Sequence, residues 1–132
     1  MKKRTGILII TALLLIIGGY FMLKFLFPKV SIPDTNARLN YVYNDKNIIA
    51  NLSIEESKII KNMFNGKRLY DDNPSCGFTD NVSISFDSLI FCVACDKCPI
   101  IKYNNKYFKI SEKDRTTINE IFERFGGSFP CI

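Results

Sequence analysis

The feature that most constrains this chain is a long uncharged apolar stretch near its start. Residues 5–23 are 19 consecutive residues without a charge, and after Lys24 the apolar run continues through Phe27. About 20 helical residues, rising 1.5 Å each, cross a hydrocarbon core of about 30 Å. A helix of this length in water carries a polar face, whereas this stretch is apolar all round, which suits lipid. The sequence therefore predicts a transmembrane anchor, residues 1–27, that contacts the lipid bilayer through residues 5–27.

The flanking charges predict how the anchor is oriented. Lys2, Lys3 and Arg4 precede the apolar stretch, and basic clusters of this kind remain in the cytoplasm. Lys24 and Lys29 on the far side oppose this orientation weakly. We expect a single-pass protein of the cell membrane, with a cytoplasmic amino-terminus and an extracytoplasmic C-terminal domain.

A cleaved signal peptide is the alternative interpretation of this stretch. Its apolar core is about 7–15 residues long and ends at a cleavage site with small residues. Here the stretch is longer, bulky residues follow Gly18 and Gly19, and no Ala-x-Ala pattern precedes Pro33. A retained anchor is the favoured prediction.

The distribution of charge argues against a nucleic-acid partner. The formal net charge is +5, but residues 1–29 hold five of the 18 basic residues and none of the 13 acidic ones. Residues 30–132 are therefore formally neutral, and a nucleic-acid binder needs a concentrated basic face. The excess positive charge instead lies in the residues that flank the predicted membrane anchor, where basic residues set its orientation.

The remaining residues predict a short stalk and one folded domain. Residues 28–38 contain two prolines and little periodicity, and we expect them to form the stalk. Residues 39–132 are expected to form an α+β domain of about four antiparallel strands, with two flanking helices packed on one face. With 47% hydrophobic and 23% charged residues, the chain is not typical of a disordered protein.

Local signals place the helices and strands of this domain. Ser53 with Glu56 forms a capping box before a helix predicted over residues 54–65, and Ser111 precedes a second helix that Gly126 ends. Apolar and polar residues alternate over 82–86, as in a half-buried strand. Further strand signals cover residues 89–95, 100–103 and 107–110, with a marginal hairpin over 39–43 and 47–50.

Five cysteines are the chemically distinctive residues: Cys76, Cys92, Cys95, Cys98 and Cys131. The chain has no histidine. This excludes a Ser-His-Asp triad, a Cys-His pair, an HExxH zinc site and imidazole acid–base catalysis.

Disulfides are the favoured interpretation of four of these cysteines. An extracytoplasmic compartment is usually oxidising, and disulfides stabilise small domains. Cys92 lies within a predicted strand, where a buried thiol behaves as a small hydrophobe. The disulfide candidates are therefore Cys76, Cys95, Cys98 and Cys131, and their pairing stays open because four cysteines allow three connectivities.

A cysteine-ligated metal site is the second interpretation. Four thiolates hold zinc tetrahedrally, and Cys92–Cys98 has C-x-x-C-x-x-C spacing. In an extended strand, however, Cys92 and Cys95 face opposite sides of the sheet and do not share a metal. We expect no metal and no other cofactor.

A thiol–disulfide oxidoreductase using Cys95 and Cys98 is the third interpretation and the only enzymatic one. A redox C-x-x-C motif normally opens a helix, whereas here Pro99 and a strand-like segment follow. We predict no catalytic residue. The favoured function is a membrane-anchored binding domain, which contacts an unknown protein partner at the cell surface through an exposed edge strand.

Overall fold

The computed structural model describes residues 2–131 and has an α+β fold. The described part forms three helices and one antiparallel sheet of six strands, so the predicted fold class is confirmed and the strand count is higher than the predicted four or so. The hairpin predicted over 39–50 pairs along its full length, which supplies the extra strands. In chain order the elements are α1 (Lys2–Leu26), β1 (Ala37–Tyr43), β2 (Lys46–Asn51), α2 (Ile54–Phe64), β3 (Val82–Phe86), β4 (Leu89–Val93), β5 (Ile100–Tyr103), β6 (Lys106–Lys109) and α3 (Glu112–Arg124).

Helix α1 contains the apolar stretch. Over Thr5–Leu26 it is the one helix among the described residues that is long and apolar enough to cross a membrane, and none of that segment is buried against the rest of the chain. A membrane anchor and a signal sequence share these properties.

The sheet has the strand order β2-β1-β3-β4-β5-β6, and every neighbouring pair is antiparallel. Two-residue turns with positive φ at both positions join β1 to β2, at Asn44 and Asp45, and β5 to β6, at Asn104 and Asn105. Asparagine and aspartate tolerate this backbone region, and the resulting turn matches the twist of paired strands. The asparagine-containing turns therefore fix the register of both hairpins.

Helices α2 and α3 cover one face of the sheet, as predicted. The ring of Phe64 on α2 lies 5.2 Å from that of Phe91 on β4, and the ring of Phe122 on α3 lies 6.0 Å from that of Tyr41 on β1. All four side chains are fully buried. The core is therefore the single layer between the helices and this face.

Both helices begin at the predicted capping residues. The Ser53 hydroxyl accepts a hydrogen bond from the Glu56 N–H, and the Glu56 carboxylate accepts one from the Ser53 N–H, at 3.2 and 2.9 Å. Ser111 and Asp114 form the same reciprocal pair at 3.0 and 3.3 Å. These bonds satisfy N–H groups that a helix start leaves without partners.

The segment expected to form a stalk lies against the domain. The Val30 N–H donates to the Lys67 carbonyl at 2.9 Å, and the Leu69 N–H donates to the Pro28 carbonyl at 2.9 Å. Val30 and Ile32 are both buried in the core. The chain therefore joins the domain two residues after α1 ends.

Candidate functional site

The four predicted disulfide candidates come together as two pairs at disulfide distance. Cys76 lies against Cys98, with Cα atoms 6.1 Å apart, and Cys95 lies against Cys131, with Cα atoms 4.7 Å apart. Both Cα separations fall in the range of about 4.4–6.8 Å that disulfides span. The two pairs join the loop before β3 and the C-terminal tail to the segment after β4. We call these four residues, with Asp96, the cysteine cluster.

Backbone hydrogen bonds hold the cysteine cluster in place. The Cys95 N–H donates to the Gly77 carbonyl at 2.7 Å, and the Cys131 N–H donates to the Cys95 carbonyl at 2.9 Å. Phe129 and Cys131 are buried, so the tail is docked on the domain. Backbone hydrogen bonds thus add to the two cysteine pairs in positioning the loop and the tail.

Asp96 shapes the turn between Cys95 and Cys98, each of which is paired with a different cysteine. Its carboxylate accepts hydrogen bonds from the Cys98 N–H at 3.2 Å and the Gly77 N–H at 3.3 Å. The Cys76 sulfur, the Cys98 sulfur and an Asp96 oxygen all lie within 4.8 Å of one another, the one such group of potential metal ligands among the described residues. With the sulfurs paired, no thiolate is left to bind a metal; reduction would expose two.

The structure separates Cys95 from Cys98. Each lies against a different cysteine, and the segment between them is a turn followed by β5. The helix that lowers the thiol pKa in redox C-x-x-C motifs does not follow this one.

Cys92 lies apart from the cluster on the opposite face of the sheet. It is buried, and its thiol donates to the Asp80 carboxylate at 3.3 Å. The pKa of the Cys92 thiol is raised to about 12. Burial is the largest cause, and the hydrogen bond to Asp80 and the negative charge of Asp80 contribute the rest. At neutral pH the group is therefore a neutral thiol, which is a poor nucleophile.

Arg115 is a buried cation that the sequence prediction missed. It is 2% exposed, donates to the Ala94 carbonyl at 2.7 Å and lies over the Phe129 ring at 4.6 Å. Burial lowers the pKa of this guanidinium to about 10, and Asp96 is the first of two acids that oppose the shift. The burial of Arg115 could have been predicted from its position three residues before Ile118, which places it on the apolar face of α3.

The free side of β2 is a second candidate site. The Leu52 N–H donates to the Ala37 carbonyl, which fixes the alternation of the antiparallel ladder between β1 and β2. Residues 46, 48 and 50 therefore bond to β1, and the N–H and C=O groups of Asn47, Ile49 and Asn51 point away from the sheet. We call these three residues the open edge.

Exposed apolar side chains lie beside the open edge on the sheet face opposite the helices. Ile49 is 54% exposed, Val42 37% and Ile90 51%. A shallow depression on this face is lined by Arg38, Asn40, Ile49, Asp80, Ser83, Ser85 and Ile90. The surface thus combines unpaired backbone groups with apolar contact area.

The opposite edge of the sheet is partly covered. Tyr70 and Tyr107 exchange two backbone hydrogen bonds of 2.9 Å, which pairs the loop with β6. The ring of Phe78 lies 5.6 Å from that of Tyr107. The open edge on β2 is therefore the more accessible of the two.

The fold and these residues define an α+β domain behind a long apolar helix, with two cysteine pairs at disulfide distance. Comparison of the chain with protein-family models, with curated proteins and with solved structures found no match.

Proposed function

We propose that this chain is a single-pass membrane protein whose extracytoplasmic, disulfide-stabilised domain binds an extended segment of a partner protein along the open edge. The observation that carries this proposal is the outward alignment of the backbone groups of Asn47, Ile49 and Asn51 beside exposed apolar side chains.

The apolar surface of α1 supports membrane anchoring. The segment Thr5–Leu26 buries no side chain within the chain, so in water its whole surface would face solvent. Exposed apolar surface costs about 25 cal/mol per Å², and lipid removes that cost. Two cysteine pairs at disulfide distance fit an oxidising exterior, where such bonds persist.

The composition of β2 supports strand addition by a partner. Edge strands usually carry proline, a bulge or an inward-pointing charge that prevents pairing with other chains. The segment Lys46–Asn51 has its one charge at its first residue and contains no proline. A partner strand would gain main-chain hydrogen bonds from the open edge, and Ile49 would contact its side chains.

Photo-crosslinking in intact membranes tests this proposal. A photoreactive residue at position 49 should crosslink one partner through a short extended segment of that partner, whereas the same residue at Glu55 on α2 should not. Crosslinks of equal yield and scattered identity at both positions would contradict binding at the open edge.

Two proline variants sharpen the test. Ile49→Pro removes an N–H that points away from the sheet, so the fold should persist while strand addition is blocked. For these variants the photoreactive residue is placed at position 47. Ile49→Ala keeps the N–H and removes only apolar contact, so it should reduce crosslinking less than Ile49→Pro does. Ile48→Pro removes a ladder hydrogen bond and should unfold the hairpin, which calibrates the folding assay. Equal partner binding by Ile49→Pro and the unmodified chain would overturn the proposal.

A cysteine-ligated metal site is the second candidate, favoured by the proximity of Cys76, Asp96 and Cys98. Native mass spectrometry distinguishes cysteines paired in disulfides from cysteines that bind a metal. Each disulfide lowers the mass by two hydrogen atoms, whereas a bound metal raises it.

A further inference from the structure

We propose that the end of the domain next to α1 binds anionic phospholipid headgroups, so that the domain contacts the membrane in which α1 is anchored. The proposal rests on the proposed anchor and adds a lipid partner for the domain itself. The surface consists of Lys29, Lys67, Arg68 and Lys109, which we call the juxtamembrane basic surface.

The chain holds this surface close to the end of α1. Helix α1 ends at Leu26, and the Pro28 carbonyl already accepts a hydrogen bond from the Leu69 N–H at 2.9 Å. Two residues span at most about 7 Å when fully extended. The headgroup layer is itself about 5–7 Å thick on each side of the hydrocarbon core. Residues 67–69 therefore lie at or beside headgroup level whatever the tilt of α1.

A side-chain contact further joins the surface to the helix end. The Arg68 guanidinium lies over the Phe27 ring at 3.9 Å, and Lys29 forms an isolated β-bridge with Arg68. Because Phe27 directly follows α1, this cation–π contact keeps the Arg68 guanidinium beside the end of the helix.

The basic side chains of this surface are free to bind an external anion. Lys67, Arg68 and Lys109 line one depression with Tyr70 and Asp72. None of the four basic residues forms an ion pair with a described side chain, and the neighbouring Asp71 is paired with Lys106. Four cations thus lie near two carboxylates that form no ion pair with a described side chain: Asp72, in the same depression, and Asp114, which lines a neighbouring depression with Lys67. Residues 30–132 are formally neutral as a whole, which conceals this local excess of positive charge, and Lys29 adds one further cation to it.

Lipid phosphates complement this charge at the position the structure imposes. Each basic residue close to an anionic membrane surface increases binding by about fivefold. Loss of two lysines should therefore lower the ratio of docked to undocked domains by about 25-fold.

Lysine labelling of the full chain in lipid nanodiscs tests the proposal. The chain is placed in discs of neutral phosphatidylcholine or of phosphatidylcholine with phosphatidylglycerol, and surface lysines are acylated for a short time and identified by mass spectrometry. Lys67 and Lys109 should be several-fold protected in the anionic discs, whereas Lys46, which lies outside this surface and donates to the Gly126 carbonyl, should label equally in both.

Matched charge variants provide the control. Lys67→Gln with Lys109→Gln should remove the protection of Lys29, whereas Lys46→Gln with Lys58→Gln, which removes the same charge elsewhere, should not. Equal labelling of Lys29, Lys67 and Lys109 in neutral and anionic discs would overturn the proposal. Protection in neutral discs by added inorganic phosphate, without anionic lipid, would also overturn it in favour of a soluble phosphate ligand.

The same samples report on the anchor separately. Co-elution of the chain with the discs measures anchoring by α1, and lysine protection measures docking of the domain. Co-elution without protection therefore contradicts the lipid surface alone, whereas chain that elutes free of the discs contradicts the anchor.

Discussion

At the scale of single residues, Cys92 is expected to be chemically inert in the folded protein. Because the pKa of its thiol is raised to about 12, the thiolate is scarce at pH 7–10. Alkylation with a maleimide at pH 8 should leave Cys92 unmodified in the folded chain and modify it after denaturation without reductant. The matched variant Asp80→Asn keeps a hydrogen-bond acceptor and removes the negative charge that helps to raise the pKa of the Cys92 thiol, so alkylation should become faster. Rapid labelling of the unmodified folded chain would contradict this burial.

Arg115 should contribute to stability through its aliphatic stem and one hydrogen bond. Arg115→Ala removes the bond to the Ala94 carbonyl and the contact with Phe129, and should lower the free energy of unfolding by about 2–4 kcal/mol. Arg115→Met keeps most of the side-chain volume and removes a buried cation two of whose nitrogen atoms have no hydrogen-bond partner. It should therefore lower the free energy of unfolding less than Arg115→Ala does.

Urea unfolding in detergent, followed by circular dichroism, measures these differences. Lys113→Ala, an exposed change on the same helix, should stay within about 0.5 kcal/mol of the unmodified chain. If Arg115→Met proved as destabilising as Arg115→Ala, the charge of Arg115 would matter more than its packing.

Sequence and structure agree at single residues where the cause is local. Asn44 and Asn104 predict turns because their side chains tolerate positive φ, and Ser53 predicts a helix start because its hydroxyl is three residues from Glu56. The burial of Arg115 has no local cause. It depends on the tail folding back over α3, which no short-range pattern encodes.

At the scale of elements, the capping boxes should contribute measurably to α2 and α3. Ser53→Ala and Ser111→Ala each remove one side-chain acceptor from a helix start and should cost about 1 kcal/mol. Ser88→Ala, in the exposed turn between β3 and β4, is a control of the same type and should change stability little. Urea unfolding measures all three, and indistinguishable results would contradict a capping role for both serines.

The strand over residues 82–86 was predicted because apolar and polar residues alternate there, whereas the long-range pairings were not predicted. The residue types of Val82–Phe86 alternate because one face meets the helices, although Ser83 on the other face is also buried. By contrast, the pairing of Val30 with Lys67 depends on two segments that are distant in sequence. Two prolines in residues 28–38 indicated irregular backbone, which is compatible with either a free or a packed segment.

At the scale of the whole molecule, the two cysteine pairs should differ in what they stabilise. Their sequence separations are 22 and 36 residues, and the loop-length difference alone accounts for only about 0.4 kcal/mol. Phe129 packs 5.3 Å from the Phe122 ring, so the bond of Cys131 also holds part of the core. Cys95→Ser with Cys131→Ser should therefore lower Tm more than Cys76→Ser with Cys98→Ser.

Thermal unfolding of the two double variants in detergent measures this difference. A larger loss of Tm from the Cys76 and Cys98 variant would contradict the role assigned to the tail. The sequence identified four cysteines able to pair but not their partners, because the partner of Cys95 depends on where the tail docks.

The central claim is that α1 stays in the membrane and places the domain outside. Ser88→Cys adds a thiol in an exposed turn, and the five native cysteines should not compete, since four lie in two pairs at disulfide distance and Cys92 is buried. Intact cells are treated with a membrane-impermeant maleimide, lysed, and their membranes washed at alkaline pH. We predict labelled full-length chain in the washed membranes; label that appears only after lysis, or labelled chain in the soluble fraction, would contradict the account.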